Sequence, residues 1–140
     1  MRKILASLLG LGILVAIAAP AQAQMVNAQT GTTYTVLNSD CDPQARKVVT
    51  FSNAAAVAVT LPQAGGTSGF ASGCTLTFVN LGVGTVTVTP GTSTINGVAT
   101  LVLPSKASAV ISNDSTPAAA GNYVAVTGNS QCYGHVATAG

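Results

Sequence analysis

The chain has 140 residues with five basic side chains, three acidic side chains and one histidine. Two of the basic residues, Arg2 and Lys3, precede an apolar run, so residues 24–140 carry three basic and three acidic side chains and no net charge. This balance excludes binding to nucleic acid or to an anionic membrane through a basic patch, because phosphate contacts need clustered lysine and arginine. The length predicts one domain with a modest core.

The N-terminus has the three parts of a signal peptide. Two basic residues are followed by the uncharged, mostly apolar run Ile4–Ala19, and then by Ala21-Gln22-Ala23, which fits the small-x-small rule for cleavage. A membrane-spanning helix needs about 20 apolar residues, and this run is shorter. We therefore predict a signal peptide over residues 1–23, a mature chain that begins at Gln24 without a membrane span, and export to the periplasm, the cell surface or the extracellular medium.

The mature chain is predicted to be all-β. Residues 24–32 show no pattern and are predicted to form a flexible arm, whereas short runs rich in threonine and valine alternate with clusters of glycine, proline and asparagine from there on. The predicted strands are Thr33–Leu37, Lys47–Phe51, Val57–Leu61, Thr75–Val79, Thr85–Thr89, Ala99–Leu103, Ser108–Ser112 and Tyr123–Thr127. We expect a single β-sandwich or jelly-roll-like domain of about eight short antiparallel strands over residues 33–127, followed by a C-terminal tail over 128–140.

Two stretches of the sequence are similar to each other and form an internal repeat. Thr50–Pro62 and Thr77–Pro90 each contain a strand, a turn that begins with asparagine (Asn53 and Asn80) and a strand that ends at proline. We interpret them as a β-hairpin unit used twice, fewer than the three repeats that a solenoid usually needs. The dipeptide Asn96-Gly97 is typical of a type I′ turn.

Three cysteines permit at most one intramolecular disulfide. Cys74 shares the alternation of Leu76 and Phe78, which indicates a core position, and a buried cysteine behaves as a small apolar residue. This favours a Cys41–Cys132 disulfide over Cys41–Cys74, while a chain without a disulfide stays an alternative.

The sequence offers little for catalysis or for cofactor binding. The single histidine, His135, lies near the C-terminus, and the chain has neither glutamate nor a Gly-x-Ser-x-Gly motif, so we predict a non-enzymatic protein without a cofactor. The segment Asn38–Asp42 places oxygen-bearing side chains at alternate positions but lacks the glycine and glutamate of a calcium loop, which favours a polar turn over a metal site. Tyr34, Tyr123 and Tyr133 are candidates to line a sugar-binding groove, with a half-buried structural role as the alternative.

A family resemblance lies in the strand and turn residues. The residues that carry it are Phe51–Asn53, Val57–Ala64, Gly69-Phe70, Val79–Gly82, Thr87–Pro90 and Ser93–Gly97, with a looser match over Ser112–Asp114 and Gly121–Val126. In these positions the chain resembles small β domains of bacteriophage tail fibre and tailspike proteins and of related exported bacterial surface proteins. The resemblance implies trimers that bind cell surfaces. The signal peptide, and Cys132 with the tail around it, fall outside the pattern and favour an exported bacterial relative.

Two functions fit these observations. Few charges on a β protein leave its sheet edges open to pairing with other chains. The first hypothesis is an exported, non-enzymatic surface or extracellular structural protein that serves adhesion and forms a homo-oligomer through sheet edges or sheet faces. The alternative is a glycan- or receptor-binding module that uses the long loops Pro62–Gly73 and Asn113–Asn122.

Overall fold

The computed structural model describes residues 25–41, 47–65, 70, 73–114 and 120–129. All eight predicted strands are present there, to within two residues at each end. The elements in chain order are β1 Val26–Gln29, β2 Thr33–Thr35, a 3₁₀ turn Asn38–Asp40, β3 Val48–Phe51, β4 Val57–Leu61, β5 Ala64–Gly65, β6 Thr75–Asn80, β7 Val86–Pro90, β8 Leu101–Leu103, β9 Ala107–Asn113, β10 Ala120–Gly121 and β11 Tyr123–Asn129.

The strands form two main sheets that the chain visits in turn. The five-stranded sheet has the order β1-β3-β6-β9-β11, and the four-stranded sheet has the order β2-β4-β7-β8. In the first sheet β1, β3 and β6 are parallel, and in the second β2, β4 and β7 are parallel. The pairs β1–β2, β3–β4 and β6–β7 are therefore three stacked coils of a short β-solenoid, which we call rungs 1, 2 and 3.

This topology confirms the all-β prediction and corrects its details. The expectation of antiparallel strands holds for four of the eight strand pairings among the described residues, and the other four are parallel, so the sheets are mixed. The repeated unit is not a hairpin, since its two strands lie in different sheets and do not pair with each other.

The N-terminal segment supplies a third copy of the repeat. Residues 24–32 were expected to form a flexible arm, yet Val26–Gln29 is a strand that pairs with β3. Its half-buried residues are the amides Asn27 and Gln29, whereas its apolar residues Val26 and Ala28 are exposed, so the inward apolar positions that mark the other strands are missing here.

The chain reverses after rung 3. Strand β8 runs antiparallel to β7, and β9 runs antiparallel to β6, so β8 and β9 form a fourth layer. Strand β11 then pairs with β9 and extends only the five-stranded sheet. The turn before β8 is as predicted: Asn96 and Gly97 have φ angles of 51° and 81°, and the flanking Ile95 and Val98 bond to each other through their backbones.

One apolar core fills the space between the sheets. Phe51 from β3 contacts Tyr34 from β2 and Phe78 from β6 edge to face, with ring centroids 6.1 and 5.6 Å apart. Phe51 and Phe78 are fully buried, as the sequence predicts. A second pair, Phe70 and Tyr123, packs edge to face at 6.5 Å. Such aromatic pairs contribute about 0.5–1.5 kcal/mol beyond the area that they bury.

The turns that link the sheets stack directly on one another. The amide of Gly82 in rung 3 donates to the carbonyl oxygen of Phe51, and that of Gly84 donates to the carbonyl oxygen of Asn53. A Cβ atom on Gly84 would collide with the carbonyl oxygen of Ala55, and one on Gly82 would collide with that of Asn53. Glycine is required here because the backbone of rung 2 fills the place of a side chain.

Two asparagines, Asn53 and Asn80, hold these turns. The Oδ1 atoms of Asn53 and Asn80 each accept the backbone amide two residues further on, at 2.8 and 3.0 Å. Their Nδ2 atoms donate to the neighbouring layer: Asn53 to the carbonyl of Thr30 at 2.7 Å, and Asn80 to that of Leu103 at 3.1 Å. The turn role that the repeat assigned to both residues is thus confirmed, and each also joins adjacent layers.

The disulfide corrects the predicted pairing. Cys41 bonds to Cys74, so the expected Cys41–Cys132 pair is wrong, and Cys132 lies outside the described residues. Cys74 is buried as predicted, with 4% of its surface exposed. The error lay in treating burial as evidence against a bridge, although Cys41 packs against the same core.

We predict that Gly84→Ala costs about 1–3 kcal/mol of unfolding free energy, because the added methyl group must push rung 2 and rung 3 apart. Gly31→Ala is the matched control: it lies in the equivalent turn of rung 1, where a Cβ meets only the Thr33 backbone at 3.5 Å. Urea denaturation of both variants measures the difference. Equal loss in both would contradict the stacking argument.

We predict that replacing Cys41 and Cys74 together by alanine lowers the unfolding free energy by about 3–4 kcal/mol, the loop entropy of a bridge across 33 residues. Cys132→Ala should leave it within about 0.5 kcal/mol of the parent. Denaturation under non-reducing conditions makes the comparison, and a destabilised Cys132→Ala variant would restore the Cys41–Cys132 pairing.

Candidate functional site

The outer face of the five-stranded sheet is the most distinctive surface of the described chain. Strand register aligns one residue from every strand into a row that crosses the whole sheet. The row, which we call the valine row, is Val26, Val48, Thr77, Val110 and Val126. Three of its members are well exposed, namely Val26 at 63%, Val110 at 43% and Val126 at 71%.

The two rows on either side of the valine row also contain no charged residue. One consists of Ala28, Thr50, Val79, Ser108 and Gly128, and the other of Thr75, Ser112 and Val124. None of the strand residues in these three rows is charged. The exposed valines of β9 and β11, Val110, Val124 and Val126, lie next to one another on this face. Such a cluster of exposed apolar side chains on a protein surface marks a candidate contact with another molecule.

The outer face of the four-stranded sheet has a different chemistry. Its outward residues are five threonines, one alanine and one valine, namely Thr33, Thr35, Ala58, Thr60, Thr87, Thr89 and Val102. Threonine hydroxyl groups bond to water and keep this face hydrated. Both outer faces carry hydroxyl groups, and the two sides differ in their valines, since the five-stranded sheet has six outward valines and the four-stranded sheet has Val102 alone at the positions named here.

The edge of β11 is partly covered by the chain itself. The side-chain amide of Asn96 donates to the carbonyl of Ala125 at 2.8 Å and accepts its amide at 2.9 Å. The backbone of Thr94 and Asn96 bonds to Tyr123 on the same side. These contacts occupy the first half of the edge, so the sheet face is a better candidate than this edge for contact with another chain.

Rung 1 ends the core with a polar cluster. Asp40, only 4% exposed, accepts hydrogen bonds from the Tyr34 hydroxyl at 2.6 Å, the Asn27 amide at 2.9 Å and the Leu37 backbone at 2.8 Å. Gln29 donates to Asn27 at 2.5 Å. Each buried group has partners, so the cluster closes the end of the core without leaving a polar group unsatisfied.

The structure does not bring the candidate sugar-binding tyrosines together. Tyr34 lies in rung 1 with its hydroxyl on Asp40, whereas Tyr123 lies in β11 at the other end of the stack. Tyr123 is 2% exposed and donates to the carbonyl of Pro62 at 2.8 Å, so its ring has no face open to a ligand. Tyr133 lies outside the described residues.

Burial raises the pKa of both Tyr34 and Tyr123 far above the ordinary phenol value. For Tyr34 the hydrogen bond to the Asp40 carboxylate and its negative charge add to the increase, because a phenolate beside a carboxylate is repelled. Both tyrosines therefore contribute to the fold as neutral hydrogen-bond donors.

The predicted polar turn around Asp40 is present in the part that the structure describes. The Asp40 carboxylate accepts N–H and O–H donors, as a capping residue does. Among the described residues no three histidine, cysteine, aspartate or glutamate side chains lie close enough together to hold a metal ion. Asp42, Cys132 and His135 lie outside these residues.

The valine row was not identified from the sequence. Its signal is present, because the strand positions that alternate with the core in β9 and β11 carry valine at Val110, Val124 and Val126. The register that joins these valines to Val26 and Val48 depends on the parallel stacking of rungs, which alternation alone does not reveal.

We predict that stability falls above about pH 10, where a solvent-exposed phenol ionises. A phenol whose pKa is higher in the folded state contributes stability that is complete below the unfolded pKa and is lost as the pH rises through the folded value. Tyr34→Phe should cost about 1–3 kcal/mol at pH 7, because Asp40 loses a donor, and should make the alkaline decline shallower. Denaturation between pH 7 and 11 measures both effects, and an unchanged alkaline slope would contradict this role.

Comparison of the chain with protein-family models, with curated proteins and with solved structures finds no match. The resemblance to tail fibre domains accordingly stays a prediction from strand and turn residues.

Proposed function

We propose that this protein is an exported, non-enzymatic surface or extracellular structural protein that forms a homo-oligomer and serves adhesion. The observation that carries the proposal is the uncharged valine row on the outer face of the five-stranded sheet. Copies of the chain meet through this face, and the threonine face of the other sheet stays in water.

The physical support is burial of exposed apolar surface without electrostatic cost. Removing apolar surface from water contributes about 25 cal/mol for each Å². Val124 and Val126 are 49% and 71% exposed, and both lie on a strand whose outer positions are uncharged. Two copies of such a face approach without repulsion between like charges, and sheets packed face to face bury their facing side chains.

Export is supported by two independent features. The N-terminal 23 residues fit a cleavable leader. The Cys41–Cys74 disulfide is compatible with an oxidising compartment, where such bonds persist. Within the described residues no helix is long and apolar enough to cross a membrane.

A mechanical role is supported by the stacked rungs. Backbone hydrogen bonds join each rung to the next in both sheets, and a disulfide links the segment after rung 1 to the start of rung 3. The proposed role in adhesion rests on the resemblance to tail fibre domains.

We predict that the mature chain is an oligomer and that the double variant Val110→Lys, Val126→Lys is a monomer. Two charges on the proposed interface raise the dissociation constant at least tenfold, which corresponds to about 1.4 kcal/mol. Size exclusion with light scattering over a range of protein concentrations makes the measurement.

Val83→Lys is the matched control, because Val83 is 73% exposed, like Val126, but lies in the turn between β6 and β7 and away from the sheet face. It should leave the oligomer intact. A parent chain that stays monomeric at high concentration would exclude self-assembly and move a glycan- or receptor-binding module to first place.

A further inference from the structure

The turn before β8 places an asparagine directly before a glycine at the protein surface. Asn96 and Gly97 are both exposed, and both have positive φ angles. Asparagine is chemically labile, and a following glycine promotes its deamidation because no side chain shields the glycine nitrogen. Apart from its chain neighbours, no atom lies within 4 Å of the place that a Cβ of Gly97 would take, and among the described residues its amide donates to no backbone acceptor. The nitrogen that would attack Asn96 is therefore accessible.

The side chain of Asn96 is restrained in the folded chain. Its carboxamide replaces a peptide group at the β11 edge, because Nδ2 donates to the carbonyl of Ala125 at 2.8 Å and Oδ1 accepts the amide of Ala125 at 2.9 Å. The backbone amide of Asn96 continues the same ladder and donates to the carbonyl of Tyr123 at 2.9 Å. Both side-chain bonds must break before Cγ of Asn96 can turn towards the Gly97 nitrogen.

The segment before the turn is attached to β11 by exposed contacts. The Oδ1 atom of Asn122 accepts the backbone amide and the hydroxyl of Thr94, both at 2.9 Å, and the carbonyl of Thr94 accepts the amide of Tyr123 at 2.8 Å. Solvent-exposed hydrogen bonds with few buried contacts open at a lower free energy than the core does. Local opening of this segment therefore releases the side chain of Asn96 while the rungs stay folded.

We propose that Asn96 is a deamidation site whose rate is set by this local opening, and that its conversion releases the β11 edge. Hydroxide removes the proton from the Gly97 nitrogen, which then bonds to Cγ of Asn96. The Cγ–Nδ2 bond breaks, and the nitrogen takes a proton from water and leaves as ammonia, so that a cyclic imide forms. Water opens the ring at either carbonyl, and the product is an aspartate or an isoaspartate at position 96.

The product cannot hold the edge as the carboxamide does. An ionised carboxylate has no hydrogen to donate, so the carbonyl of Ala125 loses its partner and lies beside a negative charge. The isoaspartate also lengthens the backbone of the turn by one carbon atom. The first half of the β11 edge then offers its backbone groups to another extended segment. The chain thus acquires, as it ages, a contact surface separate from the valine row.

Peptide mapping by mass spectrometry of the purified chain at neutral pH follows the conversion of Asn96. Conversion in the folded chain should be tenfold to a thousandfold slower than in the same chain unfolded in guanidinium, because only the open state reacts. Asn122→Ala removes the side-chain anchor of Thr94 and should speed conversion in the folded chain at least threefold. Ser108→Ala is the matched control, because it removes a hydrogen bond to Gly128 at the other end of β11, and it should leave the rate unchanged.

Amide hydrogen exchange at Ala125 measures the release of the edge. Asn96→Asp reproduces the main-chain product, and Asn96→Gly removes the carboxamide while keeping a residue that suits the positive φ angle. Both variants should speed exchange at Ala125 at least tenfold relative to the parent chain. Neither measurement depends on the proposed oligomer, because Asn96 lies at the sheet edge and the valine row lies on the sheet face.

Three results would overturn the proposal. Conversion in the folded chain as fast as in guanidinium would show that the bonds to Ala125 do not restrain Asn96. No conversion in the folded chain, under conditions in which the unfolded chain converts, would show that the segment does not open. Exchange at Ala125 that is equal in Asn96→Asp and in the parent would show that the carboxylate still holds the edge.

Discussion

The close stacking of turns is the constraint on which the structure depends. Phe51 lies beside Asn80 in one sheet, and Val57 lies beside Val86 in the other, so the turns of rungs 2 and 3 have equal length. They touch backbone to backbone, which only Gly82 and Gly84 allow. Because this contact fixes the register of both sheets together, a slip in either sheet would separate the turns and leave their buried amides unbonded.

A stack of rungs must also end, and the two ends are built differently. At rung 1 the core gives way to the cluster around Asp40, whose carboxylate accepts three donors. A terminal repeat with polar residues is the usual device that prevents further stacking in solenoids. At the other end β11 extends one sheet alone, with Asn96 pairing part of its edge. The polar cluster at rung 1 thus opposes further stacking, and Asn96 opposes strand pairing along the first half of the β11 edge, which is why the proposed assembly uses a sheet face.

The sequence predicts where the strands lie, but it does not predict which neighbouring strands are parallel and which are antiparallel. Period-2 alternation located eight strands, because it reports which residues face a core, but it is the same for parallel and antiparallel neighbours. The repeat aligned Phe51 with Phe78, whereas the structure sets Phe78 beside Val49. A shift of two residues leaves every side chain on the same face of the sheet, so the period-2 alternation of the sequence cannot reveal it. Strand β1 was not predicted, because its inward positions carry Asn27 and Gln29, where the other strands carry apolar residues. These polar residues lie where the core ends.

The candidate face follows from the same geometry. Residues that point outward from a solenoid are not needed for its core, so their chemistry is free to serve contacts with other molecules. On the four-stranded sheet five of the seven outward positions named above carry threonine, which remains hydrated, and the other two are Ala58 and Val102. On the five-stranded sheet the outer positions of the two strands added after the reversal, β9 and β11, include Val110, Val124 and Val126. Threonine would fit the same backbone with similar β propensity, so strand formation alone does not account for these valines, which the proposed contact with another copy would bury.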